Sequence, residues 1–230
     1  MYHLLRPIIF SLDSETAHDL AIFSAKYVGK VGFLTAVLGF LAQRGLDPKR
    51  MQSEAFGLRF KNPIGLAAGF DKQAAGIKCL QTLGFGHIEI GTVTPKPQIG
   101  NPKPRIFRLP SDSALINRMG FPSRGVDAAL SELEKLDQET KLSVGANIGK
   151  NKDTPLLKAA DDYQLVARQL SPHVSWITIN VSSPNTPGLR NLQAVESLGE
   201  IVIAVKESVP KQMPIPVSYT HLTLPTICSV

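Results

Sequence analysis

Four short apolar runs, each closing on small or polar residues and each followed by an amphipathic stretch, constrain this chain more than any other feature. They are PIGLAAG at 63–69, HIEIGTV at 87–93, KLSVGANIG at 141–149 and VSWITINVSS at 174–183. The stretches that follow them are a helical pattern near 72–83, then SRGVDAALSELEKL, DTPLLKAADDYQLVARQL and LGEIVIAVKESVP. Strands alternating with helices at this spacing predict a parallel sheet, either doubly wound or closed into a (β/α) barrel. The strand ends separate the two. In order they carry Ala68-Gly69-Phe70-Asp71-Lys72, Gly91-Thr92-Val93-Thr94, Asn147-Ile148-Gly149-Lys150 and Asn180-Val181-Ser182-Ser183. Barrels gather functional groups at every C-terminal strand end, whereas open sheets do so at a switch point, so the barrel is favoured. No GxGxxG or Walker pattern follows a strand, which counts against a nucleotide-binding open sheet.

The fourth run passes directly into Pro184, Asn185, Thr186, Pro187 and Gly188. Prolines forbid further regular structure there, so the amides and hydroxyls of 180–185 collect at one strand end. Of the 230 residues 43% are hydrophobic, with 18 Gly and 17 Pro, which predicts a loop-rich globular chain with one core. The formal charge of +6 comes from scattered Lys and Arg with no aromatic interleaving, against nucleic-acid binding. Two cysteines, Cys79 and Cys228, form no CxxC pair, and no His pair has ligand spacing, so neither a disulfide framework nor a metal site is expected. On that cysteine usage the chain reads as reduced and cytosolic-side, and no secretory signal is read because the apolar start MYHLLRPIIF is broken by Asp13 and Glu15.

Residues 1–50 read as helical, with Asp13 or Ser14 as N-cap of ETAHDLAIFSAKYVG and Gly29 and Gly45 as stops. The apolar stretch 31–42, VGFLTAVLGFLA, is shorter than the ~20 residues a bilayer span needs and is flanked by Lys26, Lys30 and Arg44. It is either an ordinary packed helix or an interfacial helix lying in a membrane surface.

The segments NPIGLAAGFDK, GFGHIEIGTVTPKPQIGNPKPRIFRL, LINRMGF, NIGKNKDT and INVSSPNTPGLRNL, which run nearly without interruption from 50 to 200, resemble dihydroorotate dehydrogenases. The closest resemblance is to the quinone-dependent, membrane-associated class 2, whose members open with a helical membrane and quinone-access region. The resemblance implies a (β/α)8 TIM barrel with FMN that oxidises (S)-dihydroorotate to orotate in de novo pyrimidine biosynthesis. A base takes a proton from C5, a hydride leaves C6 for FMN, and a membrane quinone receives the electrons. By carry-over Ser183 is the base, where the soluble class has cysteine. Lys72, Asn117, Arg118, Met119, Gly120, Phe121, Asn180 and Asn185 hold substrate. Ala68, Gly69, Phe70, Asp71, Lys72, Thr92, Asn147 and Asn180 contact FMN. The implied place is the cytoplasmic face of the inner membrane, as a peripheral protein, with dihydroorotate, orotate, quinone and the membrane surface as partners. Taken singly, these residues have plainer readings: Ser182 and Ser183 as a turn before Pro184, Asn180-Val181-Ser182 as a sequon, Lys72 as a helix start.

The resemblance implies eight strands, of which four are countable. A fifth would begin at PIPV and lead into a lysine, but VSYTHLTLPT stands there and resembles a translated sequencing adapter. The expected division is therefore 1–50 for the helical region, 51–216 for the first half of the FMN barrel and 217–230 for a non-native tail. Family members hold the FMN phosphate after their last two strands, so the chain alone is expected to be inactive. The alternative is a non-catalytic membrane-associated remnant or binding protein.

Overall fold

The structure, a computed structural model, describes residues 2–44, 47–183, 186 and 188–219. Its first part is helical, comprising α1 (Tyr2–Ser11), α2 (Ser14–Val28), α3 (Gly32–Gln43) and the single turn α4 (Pro48–Met51). Asp13 is the N-cap of α2, its carboxylate accepting from the backbone N–H of Glu15 at 3.0 Å and of Thr16 at 3.1 Å. Gly29 closes α2 as expected, donating to the Ala25 carbonyl at 2.9 Å. Gly45, the second expected stop, lies outside the described residues.

An antiparallel hairpin follows, β1 (Ser53–Ala55) and β2 (Leu58–Phe60), turned at Phe56 and Gly57, both with positive φ. That pair of dihedral signs suits the twist of a two-residue hairpin. The main body then runs β3 (Gly65–Leu66), α5 (Ile77–Thr82) and β4 (His87–Val93). A second hairpin, β5 (Ile106–Leu109) and β6 (Ala114–Asn117), precedes α6 (Val126–Leu133), α7 (Gln138–Lys141) and β7 (Val144–Ile148). The described part ends with α8 (Ala159–Leu170), β8 (Trp176–Asn180), α9 (Val195–Ser208) and β9 (Val217–Ser218). Five strands form one sheet in the order β3-β4-β7-β8-β9, every pair parallel, which makes half of a barrel.

The fifth strand corrects the count of four. Val217 pairs with Ile179 and Ser218 with Asn180. The preceding prolines lack N–H groups and join the ladder through carbonyls alone, Pro214 accepting from Ile177 at 3.1 Å and Pro216 from Ile179 at 2.9 Å. Residues 217 and 218, assigned from the sequence to a non-native tail, thus lie in the sheet, and 220–230 lie outside the described residues.

Side chains alternate across the sheet with period two. Ile88, Ile90, Val144, Ala146, Ile148, Ile177 and Ile179 face the helices and are fully buried with Tyr163, Val166 and Leu170 of α8 and Val205 of α9. The opposite face lines the inside of the half-barrel. At its lower end large and small residues interdigitate: a Cβ at Gly65 would lie 1.9 Å from the His87 ring, and one at Gly145 would lie 1.8 Å from the Trp176 indole. Phe60 packs on both rings, at centroid distances of 4.9 Å and 5.9 Å, so the β1–β2 hairpin plugs that end.

Candidate active site at the strand ends

At the C-terminal end of the sheet the inward residues turn polar. Thr92 (β4), Asn147 (β7) and Asn180 (β8) are each less than a tenth exposed and touch one another. Thr92 Oγ1 donates to Asn147 Oδ1 at 2.5 Å, and Asn180 Nδ2 reaches both Thr92 Oγ1 and Asn147 Oδ1 at 2.9 Å. Asn180 Oδ1 in turn accepts from the backbone N–H and the hydroxyl of Ser182, each at 3.0 Å. Ser182 Oγ also lies 3.0 Å from Ser218 Oγ of β9, so the fifth strand extends the polar row.

Glu89, one pleat below, sets the row's orientation, and sequence reasoning missed it. Its Oε1 accepts from Asn147 Nδ2 at 2.9 Å, and its Oε2 from Trp176 Nε1 at 3.1 Å and Thr178 Oγ1 at 2.6 Å. A carboxylate only accepts, so Asn147 must turn its NH2 downward and its oxygen toward Thr92 and Asn180. The available signal was a charged residue at an inward position of an otherwise apolar strand. Glu89→Gln brings an NH2 against these donors and is expected to cost about 1–3 kcal/mol. A urea midpoint unchanged from the parent's would contradict this role. Tyr163 of α8, also missed, donates from its hydroxyl to the Asn180 carbonyl at 2.7 Å, and burial pushes its pKa up.

The turn after β3 is built differently from its motif reading. Gly69 holds φ +108° and a Cβ there would meet nothing within 4 Å, leaving open space over the strand end. Its N–H donates to the Gly91 carbonyl at 2.8 Å, and Gly91 has no room for a side chain, since a Cβ would lie 2.3 Å from the Asn147 carbonyl oxygen. Ala68 is half-buried beside this opening. Asp71, carried over as a flavin contact, is 1% exposed, and its carboxylate accepts from the N–H groups of Gln73, Ala75 and Gly76 at 3.4, 2.9 and 2.7 Å. These bonds hold 71–76 as a loop, which is why α5 begins at Ile77 rather than near 72. Burial raises the Asp71 pKa, and the three N–H groups oppose the rise. Lys72 points elsewhere, its Nζ 3.5 Å from Met119 Sδ. Burial, then the Arg105 charge, lower its pKa. A thioether is a weak acceptor, so this ammonium suits a stronger one brought by a ligand.

The β5–β6 excursion leaves the end of β4, and Gln98 and Ser123 exchange two backbone hydrogen bonds of 2.9 Å at its neck. It carries 117–121. Asn117 Oδ1 accepts from the Met119 N–H at 2.9 Å. Gly120 has positive φ against Asn101, and the Phe121 ring lies near Gly149, beside Thr92. Arg118 turns away, its Nη2 donating to the Pro104 carbonyl at 3.0 Å and its guanidinium lying 5.5 Å from the Phe107 ring centroid. Phe70 is exposed and stacks edge-on against His18 of α2, whose Nε2 donates to the Phe70 carbonyl at 2.6 Å. Ser183 is half-buried three residues beyond Asn180. Asn185 lies outside the described residues. Gly69, Lys72, Thr92, Met119, Asn147 and Asn180 are therefore drawn to one end of the half-barrel, while Asp71 and Arg118 serve their own loops. An open glycine shelf beside a hydroxyl, two amides and a half-buried ammonium fits the ring end of a flavin, which needs close backbone approach and mixed donors and acceptors. Among the described residues no cluster of three metal-ligating side chains occurs.

The family model for dihydroorotate dehydrogenase matches residues 50–220. The dihydroorotate dehydrogenase (quinone) of Stenotrophomonas maltophilia (strain R551-3) is 49% identical over 207 residues, covering 90% of this chain and 57% of the relative. The enzyme of that name from Roseiflexus castenholzii (strain DSM 13941 / HLO8) is 46% identical over 202 residues, 88% of this chain and 54% of the relative. Among solved structures, DHODH from Eimeria tenella in complex with ferulenol superposes with a TM-score of 0.73 at 38% identity, covering 87% of this chain and 53% of that one. The chain thus spans a little over half the length of these relatives.

Proposed function

Because the chain belongs to the dihydroorotate dehydrogenase family, we propose that it forms the first half of an enzyme barrel that oxidises (S)-dihydroorotate to orotate. FMN is the hydride acceptor and a membrane quinone the final electron acceptor. The observation that carries the reading is the convergence of Gly69, Thr92, Asn147 and Asn180 on one strand end, next to Ser183. When bound, FMN supplies a two-electron acceptor for the C6 hydride. The chain's own residues do the rest. Gly69 admits the ring to the backbone, and the Thr92–Asn147–Asn180 row presents fixed dipoles. Lys72 brings positive charge, Asn117 and Asn180 hold the substrate's carboxylate and ring amides, and Ser183 removes the C5 proton.

Five strands do not close an eight-stranded barrel, so turnover is expected of a protein that also carries the relatives' remaining length, and not of these 230 residues by themselves. The test is to complete the barrel with the missing length of a quinone-type relative, load FMN and add dihydroorotate without oxygen. Bleaching of the flavin absorbance is expected. A completed protein that binds no flavin, or whose flavin dihydroorotate leaves oxidised, would overturn the reading.

The helical region supports peripheral attachment to a membrane, the cytoplasmic face of the inner membrane in this reading. Phe33, Phe40 and Leu41 of α3 and Phe23 of α2 are 59–75% exposed, more apolar surface than water favours. No single helix among the described residues is long and apolar enough to cross a membrane, and α2 and α3 meet at a bend of 111°. Such helices suit the plane of the interface.

A further inference from the structure

A groove of about 790 Å3 runs between α3 and α5, outside the site described above. That size is within the ~300–1,000 Å3 range of small-molecule clefts. Gly32, Ala36 and Gly39 of α3 form its low wall, and a Cβ at Gly32 would meet nothing within 4 Å. Arg44, Lys61 and Lys78 bring three cations to it from three separate segments, and among the described residues no acidic one lines it. Lys78 has a long pairing of 3.7 Å with Asp137, with both side chains about half exposed, which water and salt weaken. The Thr82 and Thr35 hydroxyls donate to the Lys78 and Gly32 carbonyls at 2.7 and 2.9 Å, so the charged donors of the groove are its three cations. Phe40 belongs both to the groove and to the exposed apolar surface of α3, with Leu41 next to it.

Three cations whose described acidic neighbour is the distant, half-exposed Asp137 ask for an anion. An apolar rim continuous with them asks that the anion carry a hydrocarbon chain. We propose that this groove is a binding site for the phosphate-bearing headgroup of an anionic phospholipid, whose acyl chains lie along Phe40 and Leu41. The proposal rests on the membrane reading above and deepens it: apolar side chains of α2 and α3 give attachment to any bilayer, and the groove adds preference for negative lipid. A basic residue held at an anionic surface strengthens binding about fivefold, so three account for about 100-fold, falling as salt rises.

The test is sedimentation of the 230-residue chain with vesicles of phosphatidylcholine alone or mixed with phosphatidylglycerol. The parent is expected to bind both and to prefer the anionic mixture about 100-fold. The triple variant Arg44→Gln, Lys61→Gln, Lys78→Gln should bind both equally while keeping the parent's affinity for phosphatidylcholine, which also shows that it is folded. Arg44→Lys, Lys61→Arg, Lys78→Arg should retain the preference. Persistence of the preference in the glutamine variant overturns the site. Millimolar inorganic phosphate should compete no better than chloride at equal ionic strength, and selective loss of the preference in phosphate overturns the lipid in favour of the free ion. If the parent binds neither vesicle, the membrane reading itself fails and this site with it.

Discussion

Glu15→Ala is expected to destabilise the docking of the N-terminal helices by about 3 kcal/mol, the low end of the range for breaking a buried ion pair. Glu15 is 8% exposed and Arg105 6%. Arg105 Nε donates to both carboxylate oxygens, at 3.0 and 3.1 Å, and Nη2 to Oε1 at 2.7 Å. Its Nη1 serves the carbonyls of Ile99 and Asn101 at 2.6 and 2.9 Å. One guanidinium thus ties α2 to the loop that leads into β5, and removing the carboxylate leaves that charge buried without its partner. The low end applies because Lys103 Nζ, on a largely exposed side chain, lies 3.4 Å from Glu15 Oε2 and brings solvent to one edge. Removing both partners is gentler, so Glu15→Leu with Arg105→Met should recover much of the loss. Urea unfolding of the three variants measures this, and a double variant no more stable than Glu15→Ala would argue against the pair as the cause.

The same pair predicts an acid dependence. Hydrogen bonding from Arg105 holds the Glu15 carboxyl below its ordinary value of 4.5 against the opposing effect of burial. A carboxyl whose pKa is lower folded than unfolded contributes its full stabilisation above the unfolded value. The contribution is lost as pH falls through the folded one. The parent should therefore lose stability below about pH 4.5, more steeply than Glu15→Gln does. α2 is also tied to the strand-end loop, where His18 donates to the Phe70 carbonyl, and to α6, where Lys26 Nζ reaches Glu132 Oε1 at 2.6 Å. Loosening Glu15 should be felt at Gly69 and Lys72.

Legibility in the sequence followed burial. HIEIGTV spans both faces of a central strand, so its pattern is strong and β4 occupies 87–93 as read. The hairpins at 53–60 and 106–117 went unread because their strands of three or four residues are mostly exposed and carry no sustained alternation. β9 is legible only in part: PIPV marks where a fifth strand begins, but the text that follows it, VSYTHLTLPT, resembles an adapter, and the ladder there is made by proline carbonyls alone. At the site, Thr92, Asn147 and Asn180 were legible because strand ends converge in any parallel barrel. Glu89 was not, since a charge inside an apolar run reads as outward until the neighbouring strands supply Trp176 and Thr178. Nor does a motif spell out that Asp71 faces its own loop, because three backbone N–H groups decide that.

Ser183→Ala, in the barrel-completed and FMN-loaded protein, is expected to slow flavin reduction by dihydroorotate about 10²–10⁴-fold, a barrier increase of about 3–5 kcal/mol. Two adjacent serines end the fourth long strand run, and the family resemblance assigns the base to the second of them. Ser182 spends its hydroxyl on Asn180 Oδ1, at 3.0 Å, and lies equally close to Ser218, so it is part of the scaffold. Its alanine variant should lose that scaffold bond and little rate. Ser183 stands one residue further out and is half-buried. A serine hydroxyl is a poor base in water, and its use requires a polar pocket that excludes solvent and lets its own proton move on as the C5 proton arrives. The loss should therefore appear in the rate of reduction, followed by stopped flow, with substrate affinity nearly unchanged, because in the proposed site the amides and Lys72 would still hold the ligand. Ser183→Cys should recover part of the rate, since a thiol gives up its proton far more readily than a hydroxyl and the volume is similar. Equal rates for Ser183→Ala and the parent, or a larger loss for Ser182→Ala, would move the base to the other serine or away from this strand end.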